Sequence, residues 1–476
     1  MRVEAKLEIE RRWRKSLSIK EKCQAKGIIW VGGIGPLNAK IAIVGESLGA
    51  EEERLGLPFV GEAGFLLDSI LSQVGLYRRD IYITNVVKIR PPDNEIKRIS
   101  ELGLTIFEFL PLLKEELEKV KPNVVVALGA LALEVLTNKK GIMKWRGSIL
   151  ESSLIPNLKV IPSVHPAAIL RQYKWKPLLW LDMKKVVKEA YSSKIELPER
   201  NLIIEPSFNE VKDILRNIKS DYEKVAYDIE VDKQGMLSCI SLSPSPEWAI
   251  SIPFRKAYSS YWMEGEEVVI WRWLSEYIFQ AEKQLIAQNA LFDNMWLVPG
   301  VGYFEVYMDT MWAAQLAYAE LPKGLDTLAS IYTNEPYYKD ERKVWKDTSI
   351  TRQLWLYNAR DSAVTFEVAL RLEEELKSLK LSDFFFGFVM KLHPILLKLQ
   401  MRGMRVDQSK REEIKKELED RRKELEDAFG NVNLRSPKQL SELLYGKLGM
   451  QKQYHRKTGK LTTNKEALIK LRRKMK

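Results

Sequence analysis

Four short apolar runs, KIAIVGE, DIYITNVVK, NVVVALG and LKVIPSVHP, constrain the fold more than any other feature of the chain. Runs this continuous leave no polar face for water, so each predicts a strand buried on both sides, and strands of that kind belong to a parallel sheet covered by helices. Between them, AGFLLDSILSQVGL and FEFLPLLKEELEKV carry the apolar spacing of amphipathic helices. A parallel three-layer α/β domain is therefore expected over 39–195, preceded over 1–38 by a charged helical arm and a loop with Gly32, Gly33 and Gly35.

A second α/β pattern is expected over 196–378, starting with KVAYDIEVD and CISLSPSPEWAISIPF and turning helical through WLSEYIFQ and LWLYNARDSAVTFEVALRLEEEL. The segment SSKIELPERNLIIEPS, polar and interrupted by Pro198 and Pro206, predicts a linker between the two. Over 379–476 the strands vanish. There SKREEIKKELEDRRKELEDAFG pairs Glu with Lys or Arg at i, i+4 and predicts an exposed helical arm rather than a self-contained core.

Charge and ligand inventory narrow the function. Lys and Arg number 76 against 64 Asp and Glu in 476 residues, a surplus of +12 that fits a polyanionic partner, nucleic acid first, although solvated helix faces give the same excess. Cys23 and Cys239 are too few for a disulfide scaffold, a zinc ribbon or a four-cysteine iron–sulfur cluster. With His165, His393 and His455 as the only histidines, a metal site must be built mostly from carboxylates, which favours Mg²⁺ or Mn²⁺. The stretch Asn123 to Leu136 is interrupted by Glu134 and falls short of the ~20 apolar residues of a membrane helix, so no transmembrane segment is expected. MRVEAKLEIERRWRKS lacks an apolar core, which predicts no secretory signal and a cytoplasmic protein.

Candidate chemistry lies in the second region. Asp228 and Glu230 stand two apart on an apolar strand, so both project from one sheet face and repel unless a cation lies between them. Asp293 sits in the apolar LIAQNALFDNMW, and Tyr357 and Asp361 occupy i and i+4 on one helix face. Any one of these acids could equally be a solvated charge. Together they suffice for two divalent ions about 3.5–4 Å apart, able to activate a water against a phosphodiester.

In order and setting, DIE, NALFD and YNARD resemble the three motifs of DnaQ-like 3′–5′ exonucleases of the tyrosine-bearing subclass. MDTMWAAQLAY and GLDTLASIY likewise resemble connecting segments in the proofreading domain of family A DNA polymerases. The resemblance implies a ribonuclease H-like fold in which Asp228, Glu230, Asp293 and Asp361 hold two Mg²⁺ or Mn²⁺ ions and Tyr357 orients the attacking water.

In the first region, VGESLGAEEERLGLPFVGEAGFLLD reads as a strand, a Gly-rich loop and a helix, an arrangement that alone suggests only anion binding. With YITNVVKIRPPDN and SVHPAAILR it resembles the family-four uracil-DNA glycosylases. That resemblance implies that Phe59 stacks on a flipped pyrimidine, Asn85 reads a uracil edge, His165 donates to the oxygen that gains charge, Glu46 positions water and Arg171 holds phosphate. Taken singly, Phe59 reads as core, Asn85 as a strand-end cap and His165 as a satisfied histidine. The family's four cluster cysteines are not matched: Ile89 and Phe109 stand at two of their places and only Cys23 remains near the first pair, so no iron–sulfur cluster is expected. Ser47 and Leu48 replace the usual Ala-Pro, which leaves excision and mere binding of uracil both open.

From about 388, MRGMRVD, NLRSPKQLSELLYGKLG and KTGKLTTNKEAL resemble the thumb entry of family A polymerases, and Arg456 to Lys476 is basic enough for a helical pair on a duplex backbone. No stretch supplies palm aspartates or a fingers helix. The expectation is the proofreading exonuclease portion of a phage-like replicative polymerase that acts on DNA 3′ ends with a separate chain carrying palm and fingers. Rival readings are a DNA-binding accessory protein whose domains are scaffolds, and a uracil-repair enzyme.

Overall fold

The computed structural model describes residues 19–476 apart from 233, 257–258, 341–350, 431, 456–459 and 475–476. Most of the expected N-terminal helical arm, and part of the basic tail from Arg456 onward, lie outside the described residues. The chain forms two compact units, Met1–Met401 and Arg402–Lys476.

The first sheet contains β1 (Ile41–Gly45), β2 (Tyr82–Asn85), β3 (Val124–Leu128), β4 (Leu150–Glu151) and β5 (Lys159–Ser163) in the order β2-β1-β3-β5-β4. Successive side chains go to opposite faces. Ala42, Val44, Val125, Ala127 and Val160 meet Leu113 and Leu117 on one side. Ile41, Ile43, Val124, Val126 and Ile161 meet Leu67, Ile70, Leu179 and Met183 on the other. Both faces are buried, as the uninterrupted apolar runs require, and β2, β1, β3 and β5 are parallel. At the edge the expectation of a wholly parallel sheet is corrected: β4 runs antiparallel to β5. The connection of residues 152–158 is too short for the crossover of about a dozen residues that a parallel neighbour needs.

The second sheet has β6 (Asn201–Ile203), β7 (Lys224–Val231), β8 (Leu237–Ser245) and β9 (Trp248–Pro253). A small hairpin of β10 (Arg255–Lys256) and β11 (Ser259–Ser260) follows, then β12 (Gln284–Ala287) and β13 (Met308–Asp309). Its order is β13-β12-β7-β8-β9-β6, with an antiparallel β7-β8-β9 meander and β12 parallel to β7. Mixed topology with a long helix, Thr351–Ser378, across the meander is a ribonuclease H-like arrangement. Ala359 and Ala363 let that helix approach the sheet at Ala249. Part of the expected linker is instead a strand: β6 pairs with β9, and Leu202 packs beside Ala249.

Beyond 378 the chain stays with this core for two more helical segments, because Phe385, Met390 and Leu397 are buried in it. The run Ser382–Arg402 is long and apolar enough by composition to cross a membrane. It also carries Lys391, Lys398 and the buried His393, and it packs one side against the sheet domain while Phe388, Leu392, Ile395 and Leu399 stay exposed. In the second unit, helix Gln408–Ala428 buries no residue, as its charge pattern predicts. The end of that unit does have a small core of its own, Leu444, Tyr445 and Leu471, with the Tyr445 hydroxyl donating to Thr462 O (2.5 Å).

The two sheet domains share a buried polar seam. Arg146, 2% exposed, pairs with Asp182 and donates to Ser330 Oγ (2.8 Å). Lys185 Nζ donates to three carbonyls, those of Gly147 (2.8 Å), Ser330 (2.7 Å) and Thr333 (2.6 Å).

Candidate active sites

Strand β7 delivers Asp228 and Glu230 from one face, and its register against β8 shifts just after Glu230. The long helix crossing above brings Asp361. Ligand oxygens of Asp228, Glu230 and Asp361 all lie within 4.8 Å of one another. Asn358, one turn before Asp361 and fully buried, fixes the crossing: its Nδ2 donates to the backbone carbonyl (3.1 Å) and carboxylate (2.8 Å) of Asp228. Its Oδ1 accepts from Ser251 Oγ (2.9 Å).

Asp293, on helix Ala290–Val301, is 4% exposed, and its Oδ2 has no hydrogen-bond partner. Burial, then the charges of Asp228 and Glu230, hold its carboxyl well above the ordinary range. Asp228 is pushed the same way by burial, Asp361 and Glu230, against the opposing pull of Lys339 and Asn358. The three-acid cluster thus holds three of the four expected ligands, with Asp293 as a buried acid in their field. Tyr357 is buried, and its hydroxyl accepts from Lys339 Nζ (2.8 Å). Lys339 also pairs with Asp361 Oδ2, while the Tyr338 hydroxyl donates to Asp361 Oδ1 (2.5 Å).

Acids this close and this dry are not a solvated surface cluster. An all-oxygen donor set, mutual repulsion and an unpartnered buried carboxylate oxygen fit hard divalent cations such as Mg²⁺ or Mn²⁺. Sequence reasoning brought Asp228, Glu230, Asp361 and Tyr357 to one place and missed Asn358, Tyr338 and Lys339. Asn358 lies inside the YNARD string; NEPYYKD carries no spacing signal at all.

In the first domain, Glu46, Phe59, Asn85, His165 and Arg171 line one cavity of about 600 Å³, with Ser47, Leu48 and Trp175 among its other walls. Phe59 is held at φ 55°, a strained value for an aromatic residue. Arg78 stabilises it by donating to Pro58 O (3.1 Å) and to Phe59 O while pairing with Asp68 (2.6 Å). A Cβ at Gly45 would meet Asn85 Oδ1 at 2.3 Å and the Phe59 ring at 2.5 Å, so any other residue there would push these side chains from their places. Glu52 ties the rim, accepting from Val60 N (3.0 Å), Gly61 N (2.9 Å) and Gly49 N (3.0 Å). Neither Arg78 nor Glu52 stood out in the sequence.

Asn85 is 3% exposed and its Oδ1 has no partner, the state of an acceptor awaiting a donor. The rings of Phe59 and His165 stack at 5.7 Å. His165 Nδ1 accepts from Ala167 N (3.2 Å), which assigns the proton of the neutral ring to Nε2. Burial holds the His165 imidazole below its ordinary value, against the pull of Glu46. Glu46 Oε1 accepts from Leu131 N (3.2 Å).

An iron–sulfur cluster does not fit. Cys23 lies in an apolar cluster with Ile89 and Phe109, and Trp30 stacks on Phe109 at 5.8 Å. Cys239 belongs to the other sheet. Beneath this plug the buried Lys88 pairs with Glu116, which also accepts from Thr84 Oγ1 (2.8 Å) and Gly33 N (3.2 Å).

Residues 33–190 match the profile of the Uracil DNA glycosylase superfamily and residues 203–377 that of a 3′–5′ exonuclease. A type-4 uracil-DNA glycosylase of Thermotoga maritima is 41% identical over 143 residues, 30% of this chain and 71% of that protein. One from Archaeoglobus fulgidus is 37% identical over 163 residues, 33% of this chain and 80% of that protein. The DNA polymerase of Bacillus phage SP01 is 26% identical over 346 residues, 67% of this chain but 35% of the phage protein. By these matches the chain belongs, through its first domain, to the uracil-DNA glycosylase superfamily, and it carries a 3′–5′ exonuclease domain in the same polypeptide.

Proposed function

We propose that the second domain hydrolyses DNA from the 3′ end, with Asp228, Glu230, Asp293 and Asp361 holding two divalent ions and Tyr357 orienting the attacking water. The convergence of Asp228, Glu230 and Asp361 oxygens within 4.8 Å, in the segment that matches the exonuclease profile, carries the reading. When bound, such ions polarise the phosphate and lower the pKa of the water. The Tyr357 hydroxyl, held by Lys339, directs that water along the line of attack. Asn358 keeps the Asp228 carboxylate aimed, and Asp293 adds an oxygen from the facing helix. The new bond runs from water oxygen to phosphorus, and the departing 3′ oxygen leaves with a proton.

On a 5′-labelled single strand, the parent chain should shorten the 3′ end in Mg²⁺ or Mn²⁺. Asp228→Ala with Glu230→Ala should lose at least about 10³ of that rate, and Tyr357→Phe less. Digestion by the double variant at the parental rate would sink the assignment.

The first domain favours a second role, uracil recognition, on one observation: the orphaned Asn85 Oδ1 beside Phe59 in one cavity. A uracil N3–H would satisfy that acceptor, and His165 Nε2–H would donate to a uracil carbonyl that gains charge. Uracil-containing strands should bind more tightly than thymine-containing ones at one salt concentration, and abasic-site detection separates excision from binding. Equal affinities would refute uracil recognition.

The similarity to the phage polymerase over 346 residues supports a place for both domains in replication proofreading, acting on primer ends together with a palm-and-fingers polypeptide. Co-expression with such a polypeptide, followed by size exclusion and primer extension, tests that association.

A further inference from the structure

Segment 333–340 belongs by sequence to the exonuclease domain, yet it is gripped from the other domain. On the first-domain side, Tyr337 N donates to Ser148 Oγ (3.3 Å), the Tyr337 ring meets Trp145 edge-on at 5.5 Å, and Asp340 pairs with Lys144 (2.8 Å). Lys144 and Trp145 lie on one short helix, Ile142–Trp145. On the exonuclease side, Glu335 pairs with Arg200 (2.9 Å). Tyr338 and Lys339 sit between these anchors and both contact Asp361, with Lys339 also bonded to Tyr357.

We propose that this strap makes the first domain part of the exonuclease site: it positions Lys339 on Asp361 and Tyr357, and a divalent ion must displace that resident cation from Asp361 while Tyr357 retains it. The inference rests on the exonuclease reading above. Lys339 is 18% and Asp361 6% exposed, so their attraction is poorly screened. Asp361 Oδ2 is the oxygen that Lys339 holds, and an ammonium and a metal ion cannot both occupy its inward lone pair. Ion affinity is then the intrinsic affinity of the acids reduced by the strength of the Lys339 contact, a coupling between two ligands of one site. Moving Lys339 requires the strap to yield at Tyr337 or Asp340, and these are the residues held by Trp145, Ser148 and Lys144. Lys339 and Tyr338 are positioning residues here, since both act through Asp361 and Tyr357.

The full chain tests this with Mn²⁺ as the probe, by calorimetric titration of the protein alone and by hydrolysis of a labelled strand across Mn²⁺ concentrations. Lys339→Met should bind Mn²⁺ about tenfold more tightly while the rate at saturating Mn²⁺ falls about tenfold, because Tyr357 loses its partner. Lys339→Arg, which keeps the charge, should bind Mn²⁺ with near-parental affinity. Lys144→Ala with Trp145→Ala, neither of which belongs to the Asp228–Glu230–Asp361 cluster, should shift Mn²⁺ affinity in the same direction as Lys339→Met by about threefold. Parental affinity in Lys339→Met overturns the proposal, and so does a double variant that loses thermal stability or rate without changing Mn²⁺ affinity, since the strap is then only structural. If the double variant does not fold, the Met and Arg pair decides. A parent chain that hydrolyses the strand while these variants leave affinity unchanged refutes the strap alone; a parent that neither binds Mn²⁺ nor hydrolyses refutes the exonuclease reading and the strap with it.

Discussion

Replacing Asp228 by Asn should stabilise the metal-free protein while abolishing hydrolysis. At the 4.8 Å limit of the Asp228–Glu230–Asp361 cluster, two full charges repel by about 3.5 kcal/mol at an effective dielectric of about 20. Asp228 faces two such neighbours, so a fully ionised cluster would carry about 7 kcal/mol at this position. The folded chain avoids most of that by holding the Asp228 carboxyl far above its ordinary pKa and by the Lys339 charge. The strain left for the substitution to relieve is about 1–3 kcal/mol. An amide oxygen at this place still accepts from Asn358 Nδ2, now 2.8 Å from the carboxylate, so no buried donor is orphaned. For a domain of this size the midpoint of thermal unfolding should rise by about 2–12 °C in EDTA. The sign with pH follows from the raised folded value. A folded state that keeps its proton while the unfolded chain releases it loses stability as pH rises, so the variant's advantage is absent near pH 4 and grows toward pH 8. Saturating Mn²⁺ should raise the parent and leave the variant unmoved, reversing their order. A variant less stable than the parent in EDTA at pH 8, or one that hydrolyses DNA at the parental rate, would refute the reasoning.

His393 is fully buried with both ring nitrogens unpartnered, and burial pushes its pKa down to about 4. Between about 6.5 and about 4 the unfolded chain takes up a proton that the folded state refuses, so stability falls with falling pH by up to about 3 kcal/mol; His393→Leu should flatten that part of a pH series of unfolding midpoints. Glu116→Gln leaves the Lys88 ammonium, 0% exposed, without its counter-charge and should cost about 3–5 kcal/mol in denaturant unfolding. Lys88→Met combined with Glu116→Gln should recover most of that loss, and a double variant as unstable as the single one would show that packing, not charge, is at stake.

Period-two and period-3.6 patterns are local, and what they govern was legible in the chain alone. Uninterrupted runs such as NVVVALG required burial on both faces, and the two cores divide residues 124–128 between them alternately. The two-residue offset of Asp228 and Glu230 required a shared face, and four residues from Tyr357 to Asp361 required one side of a helix. Donor chemistry was legible as well, because carboxylates with almost no cysteine or histidine leave oxygen-seeking cations as the fitting ligands. The edge strands β4 and β6 escaped such reading: two or three residues carry no measurable period, and their pairing is decided by a neighbour that happens to lie open. The helices after 378 look like the start of a tail until Phe385, Met390 and Leu397 find room in a core built mostly from distant segments. Lys339 and Tyr338 reach Asp361 only because the strap is clamped by Trp145 and Lys144, almost two hundred residues earlier in the chain. No periodicity links residues so far apart; their meeting depends on how two domains close on each other, a product of packing free energies summed over the whole interface, and so only the tertiary structure decides it.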